Sequence, residues 1–366
     1  MSRTELNRAL ESYRARPLDD PFCKLLSSHQ LTLFLRTIHE SNRIEDVGPE
    51  SEEGTQRLVN DLAFHILEFF RTLIHQVDEG TWRLSDEEVA AVEALSSEQE
   101  AISTLLHFSQ KVTEDLSAHL AAHRLSLDQA DPVAIHTIVF MSAVFANRLS
   151  AIATRAVHAR HAMLGREIPQ SQLRQIGTWD QAVCIHHAAL MARFLPAAEV
   201  GQWKTNANHL PGGPILYAPE DVPAAMQRWG QVLQQALLEC LVEGRDAIEV
   251  AAWASYSLLL IHPFSDGNGR LARLMTNIIL IGFADIPFPV LLANGGEPKA
   301  IKRYYAALRK IDNSHLSLFS STDAERRRSL APLVRLIEGS ILDTLKQIDN
   351  QARDLYPDYQ PLFDSP

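Results

Sequence analysis

Cysteine is scarce. Cys23, Cys184 and Cys240 are the three in 366 residues, far apart and in no paired motif. That excludes a disulfide framework, suits a reducing compartment and leaves the thiols as packing residues. Long apolar runs are missing as well: no segment carries the roughly eighteen uninterrupted apolar residues that a membrane helix requires. The start, Met1-Ser2-Arg3-Thr4-Glu5, has no apolar stretch of the kind that drives secretion. A soluble, cytoplasmic protein is expected; a bacterial effector exported by another route would read the same way. Positive charge is short, with 34 Lys plus Arg against 45 Asp plus Glu and a net charge of −11. A general nucleic-acid binder would carry the opposite sign. No internal repeat and no low-complexity stretch is present.

What is present is helical patterning in a chain that is 46% hydrophobic, enough for two domains or one large helical domain. Residues 1–27, with Pro17 and Pro21, read as a loose lead-in. From about Ser28 to Ile44 the stripe Leu31, Phe34, Leu35, Ile38 predicts a helix, ended by Val47, Gly48 and Pro49. Glu45 then falls at or near its C-terminus, where the helix dipole disfavours an anion. Further helices are expected over 55–77, from Ser85 to about Gln110, from Val112 to His123, and from Asp131-Pro132 to about Met163. Residues 164–178 read as a break. Helices follow from Trp179, from Asp221 to Gly244 and over Ala251–Ile261, and a last one over about Ser329–Asp354 precedes a loose tail. The only β candidate is a short hairpin at 206–219, around Ile215-Leu216-Tyr217; the alternative there is an ordinary surface loop.

The informative stretch is His262-Pro263-Phe264-Ser265-Asp266-Gly267-Asn268-Gly269-Arg270-Leu271-Ala272-Arg273. Pro263 cannot continue the preceding helix and biases His262 away from helical geometry, so His262 should stand at a helix end. Gly267 and Gly269 around Asn268 permit positive φ and a turn whose N–H groups converge as an anion nest. From Arg270 the apolar residues Leu271, Leu274, Met275, Ile278 and Ile279 recur with helical spacing. That helix starts at the nest, so its free N–H groups and positive dipole end face the same anion. Arg270 and Arg273 share one face, and their guanidiniums suit phosphate oxygens. Asp266 is an oxygen ligand for Mg²⁺. A histidine, a hard-metal carboxylate, a phosphate nest and two arginines are the parts of a phosphoryl or nucleotidyl transfer site.

These twelve residues match, without departure, the His-Pro-Phe-x-Asp/Glu-Gly-Asn-Gly-Arg-x-x-Arg motif of the Fic family, which the chain resembles. Gly201-Gln202-Trp203-Lys204-Thr205 resembles the family's Gly-x-Tyr-Arg-Thr turn, with Trp and Lys in place of Tyr and Arg. Tyr304-Tyr305-Ala306-Ala307-Leu308 resembles the helix that borders the adenosine pocket, with Asp312-Asn313 where an Asn is often found. The resemblance implies an all-α Fic fold with a β-hairpin flap and additional N-terminal helices. The implied layout is an N-terminal helical region over 1–165, a core over 166–345 and a tail over 346–366. It implies a protein adenylyltransferase that moves AMP from Mg-ATP to a Ser, Thr or Tyr hydroxyl of a target protein. His262 would be the general base and Asp266 the Mg²⁺ ligand. Gly267, Asn268, Gly269, Arg270, Arg273 and Tyr305 would bind nucleotide, and the flap Ile215, Leu216, Tyr217 would align the target.

Ser41 and Glu45 resemble the family's inhibitory motif, Ser/Thr-x-x-x-Glu-Gly/Asn, with Asp46 replacing the usual Gly or Asn. That implies an inhibitory helix at about 28–46 whose Glu45 pairs with Arg273 and holds ATP in an unproductive pose. Two other readings stay open: removal of AMP from a modified protein, with Glu45 positioning water, and a catalytically quiet interaction module built on the extra helical residues. ATP and a protein substrate are the expected partners, without nucleic acid or membrane and with room for a homodimer. Among the fifteen histidines, His119 and His123 are four apart and His158 and His161 three apart, but neither pair has a third ligand at a recognised spacing. Packed or solvated helix histidines are the expectation there.

Overall fold

The computed structural model describes residues 3–17, 19–44, 65–66, 68–70, 72–73, 76, 112, 114–126, 141, 179–191, 194–208, 217–284, 286–293, 297–311, 319 and 323–363. Among them the regular structure is helical, with no strand. Of the hairpin expected at 206–219, residues 209–216 lie outside the described residues, Ile215 and Leu216 among them, as do Glu45 and the His158–His161 pair. No described helix is long and apolar enough to cross a membrane. The chain divides into two compact units, 57–285 and the combination of 1–56 with 286–366.

The 57–285 unit holds α3 (Trp179–Met191), α4 (Val222–Val242), α5 (Ala247–Ile261) and α6 (Asn268–Phe283). Helix α5 is buried along most of its length, from Ala247 through Leu258 and again at Ile261, save Glu249. A helix apolar all round must be covered on every side, and α4 and α6 both pack against it. Asp246 caps its start by accepting from Ile248 N at 2.9 Å. Its few polar groups are spent internally: Ser257 Oγ donates to the Trp253 carbonyl at 2.6 Å and accepts from Trp229 Nε1 at 2.8 Å. Helix α6 is also almost wholly buried, Arg270 and Arg273 included. The loop between these two core helices, 262–267, is thereby held at both ends.

In the other unit, α8 (Asp323–Leu355) packs against α1 (Arg3–Arg14), α2 (Pro21–Ile44) and α7 (Pro298–Arg309). Two expectations are corrected here. Residues 1–27 are not a loose lead-in: Leu6, Ala9 and Leu10 make a short apolar stripe that buries α1. Helix α2 begins at Pro21, seven residues before Ser28, with Asp20 Oδ1 accepting from Phe22 N at 2.8 Å and Phe22 fully buried. Proline at the first helical position costs no hydrogen bond. The tail is not loose either. Asp349, buried on α8, accepts from Tyr359 Oη and from Leu362 N, each at 2.6 Å. Glu40, buried on α2, accepts from Ala293 N at 2.8 Å.

Candidate functional site

Helix α5 stops at His262. The residue takes the left-handed conformation, φ 50° and ψ 60°, while its N–H still closes the last turn on the Leu258 carbonyl. Pro263 therefore ends the helix as expected, and histidine tolerates positive φ better than most side chains. Its Nδ1 lies 3.2 Å from the Leu259 carbonyl. A carbonyl only accepts, so Nδ1 carries the hydrogen and, in the neutral ring, the lone pair sits on Nε2.

Gly267 supplies the second left-handed turn, φ 80° and ψ −2°, immediately before α6. A Cβ there would come within 2.7 Å of Met191 Sδ. The first-turn N–H groups of α6 have no acceptor within their own helix, and the helix dipole adds positive potential at that point. Asn268 spends its side chain on the loop: Oδ1 accepts from Phe264 N at 3.0 Å and Nδ2 donates to Phe264 O at 2.9 Å. What Asn268 offers an anion is thus its backbone, not its amide.

Arg270 and Arg273 are each 5% exposed. The Arg270 guanidinium lies over the Phe194 ring at 4.8 Å and 3.7 Å from Asp266 Oδ2. The Asp266 side chain is 60% exposed and its Oδ1 accepts from Gly267 N at 2.6 Å. An exposed carboxylate beside a phosphate nest fits a hard divalent cation such as Mg²⁺.

The loop is clamped from outside by residues whose role the sequence did not announce. His187, fully buried on α3, accepts from Gly201 N at Nδ1 and donates from Nε2 to the Asp266 carbonyl, each at 3.0 Å. Burial pushes its pKa down to about 4, so the ring is neutral, with the tautomer that these two bonds require. The same ring stacks on Phe264 with centroids 3.7 Å apart and planes 3° from parallel. Trp203 packs on Phe264 at 5.1 Å. Asn208 Nδ2 donates to the carbonyls of Phe264 and Ser265, and Lys204 N donates to that of Pro263 at 2.8 Å. Gly201 allows the approach, since a Cβ would meet the Cys184 carbonyl at 3.1 Å. Lys204, read only as a stand-in for arginine, is buried, and its Nζ has no hydrogen-bond partner among the described residues. Burial lowers its pKa.

His262, Asp266, Gly267, Asn268, Gly269, Arg270 and Arg273 lie along the segment that runs from the end of α5 into the first turns of α6. Tyr305 belongs to the other unit, exposed on α7, where its ring lies 5.7 Å from that of the buried Tyr304. Tyr217 is half-buried just before the Pro219–Asp221 turn, and burial, then Asp221, raises its pKa. Ser41 lies in α2, which is described to Ile44, one residue short of Glu45. The three thiols are unpaired, and burial raises all three pKa values, that of Cys184 to about 11 and that of Cys240 to about 12.

Residues 178–280 match the model of the Fic/DOC family. Three curated relatives resemble parts of the chain. A Fido domain-containing protein of Dictyostelium discoideum is 40% identical over 74 residues, 19% of this chain and 50% of that protein. Protein adenylyltransferase fic-1 of Caenorhabditis elegans is 49% identical over 65 residues, 17% of this chain and 11% of that protein. Protein adenylyltransferase Fic of Drosophila erecta is 32% identical over 132 residues, 33% and 26% respectively. The chain therefore spans half or less of the length of these relatives. Among solved structures, a Fic domain-containing signaling protein from Bacteroides thetaiotaomicron aligns with TM-score 0.43 and 16% identity over 80% of this chain and 98% of that one. Fic-1 from C. elegans aligns with TM-score 0.39 and 17% identity, over 94% and 92%.

Proposed function

We propose that this chain is a protein adenylyltransferase, transferring AMP from ATP to a hydroxyl side chain of a target protein. The observation that carries the reading is the 262–273 segment: a left-handed histidine at the end of α5 with Nδ1 on a carbonyl, followed by an exposed carboxylate, a left-handed glycine turn and two buried arginines at the start of α6. The names of the C. elegans and D. erecta relatives support the same activity.

The chemistry follows from these groups. His262 Nε2 removes the proton of the target hydroxyl. The hydroxyl oxygen then bonds to the α-phosphorus, the bond from that phosphorus to the bridging oxygen breaks, and pyrophosphate leaves with its electron pair. The first-turn N–H groups of α6 stabilise phosphate charge without reorganisation. Arg270 and Arg273 hold the β- and γ-phosphates as bidentate donors. Asp266 is the ligand for Mg²⁺, whose role when bound is to neutralise charge on the phosphate oxygens. The His187, Asn208 and Lys204 contacts keep the loop in place so that these groups need not be organised during reaction.

Glu45 is proposed as a restraint on this activity through pairing with Arg273, on the strength of the Ser41 to Glu45 sequence alone. Two measurements, label transfer from ATP and AMP release from a pre-modified target, decide whether AMP is chiefly added or removed. Purified chain and lysate are incubated with α-labelled ATP, and modified proteins are identified by mass spectrometry. The expected result is label on hydroxyl side chains that is lost in His262→Ala while its melting curve stays close to wild type, since a rim histidine contributes little packing. Transfer at the wild-type rate by His262→Ala refutes the general-base role. Release of AMP from a pre-modified target, without transfer, replaces the reading by AMP removal.

A further inference from the structure

The sequence places His119 and His123 four residues apart and offers no third ligand nearby. The fold supplies two. Residues 65, 66, 68–70, 72, 73 and 76 are helical, as are 112 and 114–122. Ile66, Phe70 and Leu73 are buried on the first stretch, and Leu116 and Leu120 on the second. The stretches meet at their histidines: the His119 ring lies 5.6 Å from Phe69 and 5.9 Å from His65. His123 stacks on His65 at 3.8 Å, and His119 is 5.1 Å from His123. Glu68 Oε2 is 3.2 Å from His65 Nδ1. One ligand atom from each of His65, Glu68, His119 and His123 lies within 4.8 Å of all the others.

We propose that these four side chains bind one divalent transition-metal ion, zinc before others, and that the ion staples the two helical stretches together. The donor set is three imidazoles and one carboxylate, which suits zinc and its neighbours and not the oxygen-seeking Mg²⁺ or Ca²⁺. The spacing is right on both sides: three apart on one stretch and four apart on the other put each pair on a single helix face. His119 Nε2 is buried with no hydrogen-bond partner among the described residues, a costly state for a ring nitrogen unless a ligand takes it.

The helix also ends where a cation is welcome. Arg124 is left-handed at φ 61°, and Leu125 N donates back to the Leu120 carbonyl at 2.9 Å, so the C-terminal carbonyls terminate beside His123. Around a tetrahedral ion with bonds of about 2.0–2.1 Å, ligand atoms stand about 3.4 Å apart. Reaching that from the observed cluster takes side-chain rotation, with the stacked His65–His123 pair opening around the ion. Four protein ligands complete the shell, which marks a structural rather than a catalytic site. The cluster lies outside residues 178–280 and its occupancy does not depend on the proposed transfer activity.

The test is a zinc titration of the whole chain, free of any affinity tag and stripped with chelator. One equivalent should bind, and the melting temperature should rise with zinc. The His119→Ala/His123→Ala double variant should lose at least about a hundredfold in affinity, at or beyond the top of the roughly 10–100-fold range that the loss of an outer-shell partner costs. It should also lose the zinc-dependent rise. Should the double variant fail to fold, cobalt titration of the wild type decides: visible bands of a tetrahedral site with nitrogen and oxygen ligands support the proposal. A wild-type chain that takes up no zinc, a double variant that binds as tightly, or a cobalt spectrum with thiolate charge transfer each overturns it.

Discussion

Replacing His187 by phenylalanine keeps a planar ring against Phe264 and removes both nitrogens that hold the loop. Two partly buried backbone groups lose their partners, the Gly201 N–H and the Asp266 carbonyl. A fully buried group costs about 1–3 kcal/mol when left unsatisfied, so two would cost about 2–6 kcal/mol, and partial access to water puts the loss at about 2–4 kcal/mol near pH 7. The pH dependence has a definite sign. The folded chain protonates His187 near pH 4 and the unfolded chain near 6.5. Between those values only the unfolded chain binds the proton, so wild-type stability is intact above pH 6.5 and falls as pH drops through the window. At about 1.4 kcal/mol per pKa unit, the whole window is worth about 3 kcal/mol, and the part crossed by pH 5 about 2 kcal/mol. The phenylalanine variant lacks that loss, so its deficit against wild type should shrink by about 2 kcal/mol between pH 7 and pH 5. Urea unfolding of both proteins, followed by tryptophan fluorescence at the two pH values, measures this. A deficit that stays constant with pH would refute the neutral, doubly bonded His187.

Asp266→Ala should abolish AMP transfer and its dependence on Mg²⁺ together; activity that persists in chelator removes the carboxylate from metal binding. Gly267→Ala should destabilise the chain by about 1–2 kcal/mol, because a side chain at φ 80° is strained. Met191 Sδ and Cγ would lie 2.7 and 2.9 Å from the new Cβ, and Met191 is fully buried, so its displacement adds to that cost; an unchanged melting temperature would contradict the left-handed assignment. On the proposed restraint, Glu45→Gly should raise the initial rate of labelled AMP incorporation at least about tenfold, which needs only ~1.4 kcal/mol of lost inhibition. Equal rates at matched ATP and Mg²⁺ would take Glu45 out of the mechanism.

Much of the loop's own geometry was legible in the sequence, because it is decided by neighbours along the chain. Pro263 ends α5, Gly267 permits the left-handed turn, and Arg270 and Arg273 follow on one helix face; each step needs only a few consecutive residues. What holds the loop was not legible. His187 reaches Asp266 across 79 residues, and Asn208 reaches Phe264 across 56. An isolated histidine or asparagine carries no mark of such a contact until the helices pack. The His65–Glu68–His119–His123 cluster was missed for the same reason: each half has ordinary helical spacing, and only tertiary packing joins them. The N-terminal α1 escaped because its stripe is three residues long, and the tail because one buried carboxylate, Asp349, fixes it. Each residue of 262–273 can be intact while the loop is misplaced, since its carbonyls at Pro263, Phe264, Ser265 and Asp266 are all tied to residues between 187 and 208. A change at His187 or Asn208 therefore reaches the reacting groups without touching them, and an intact motif alone does not predict transfer.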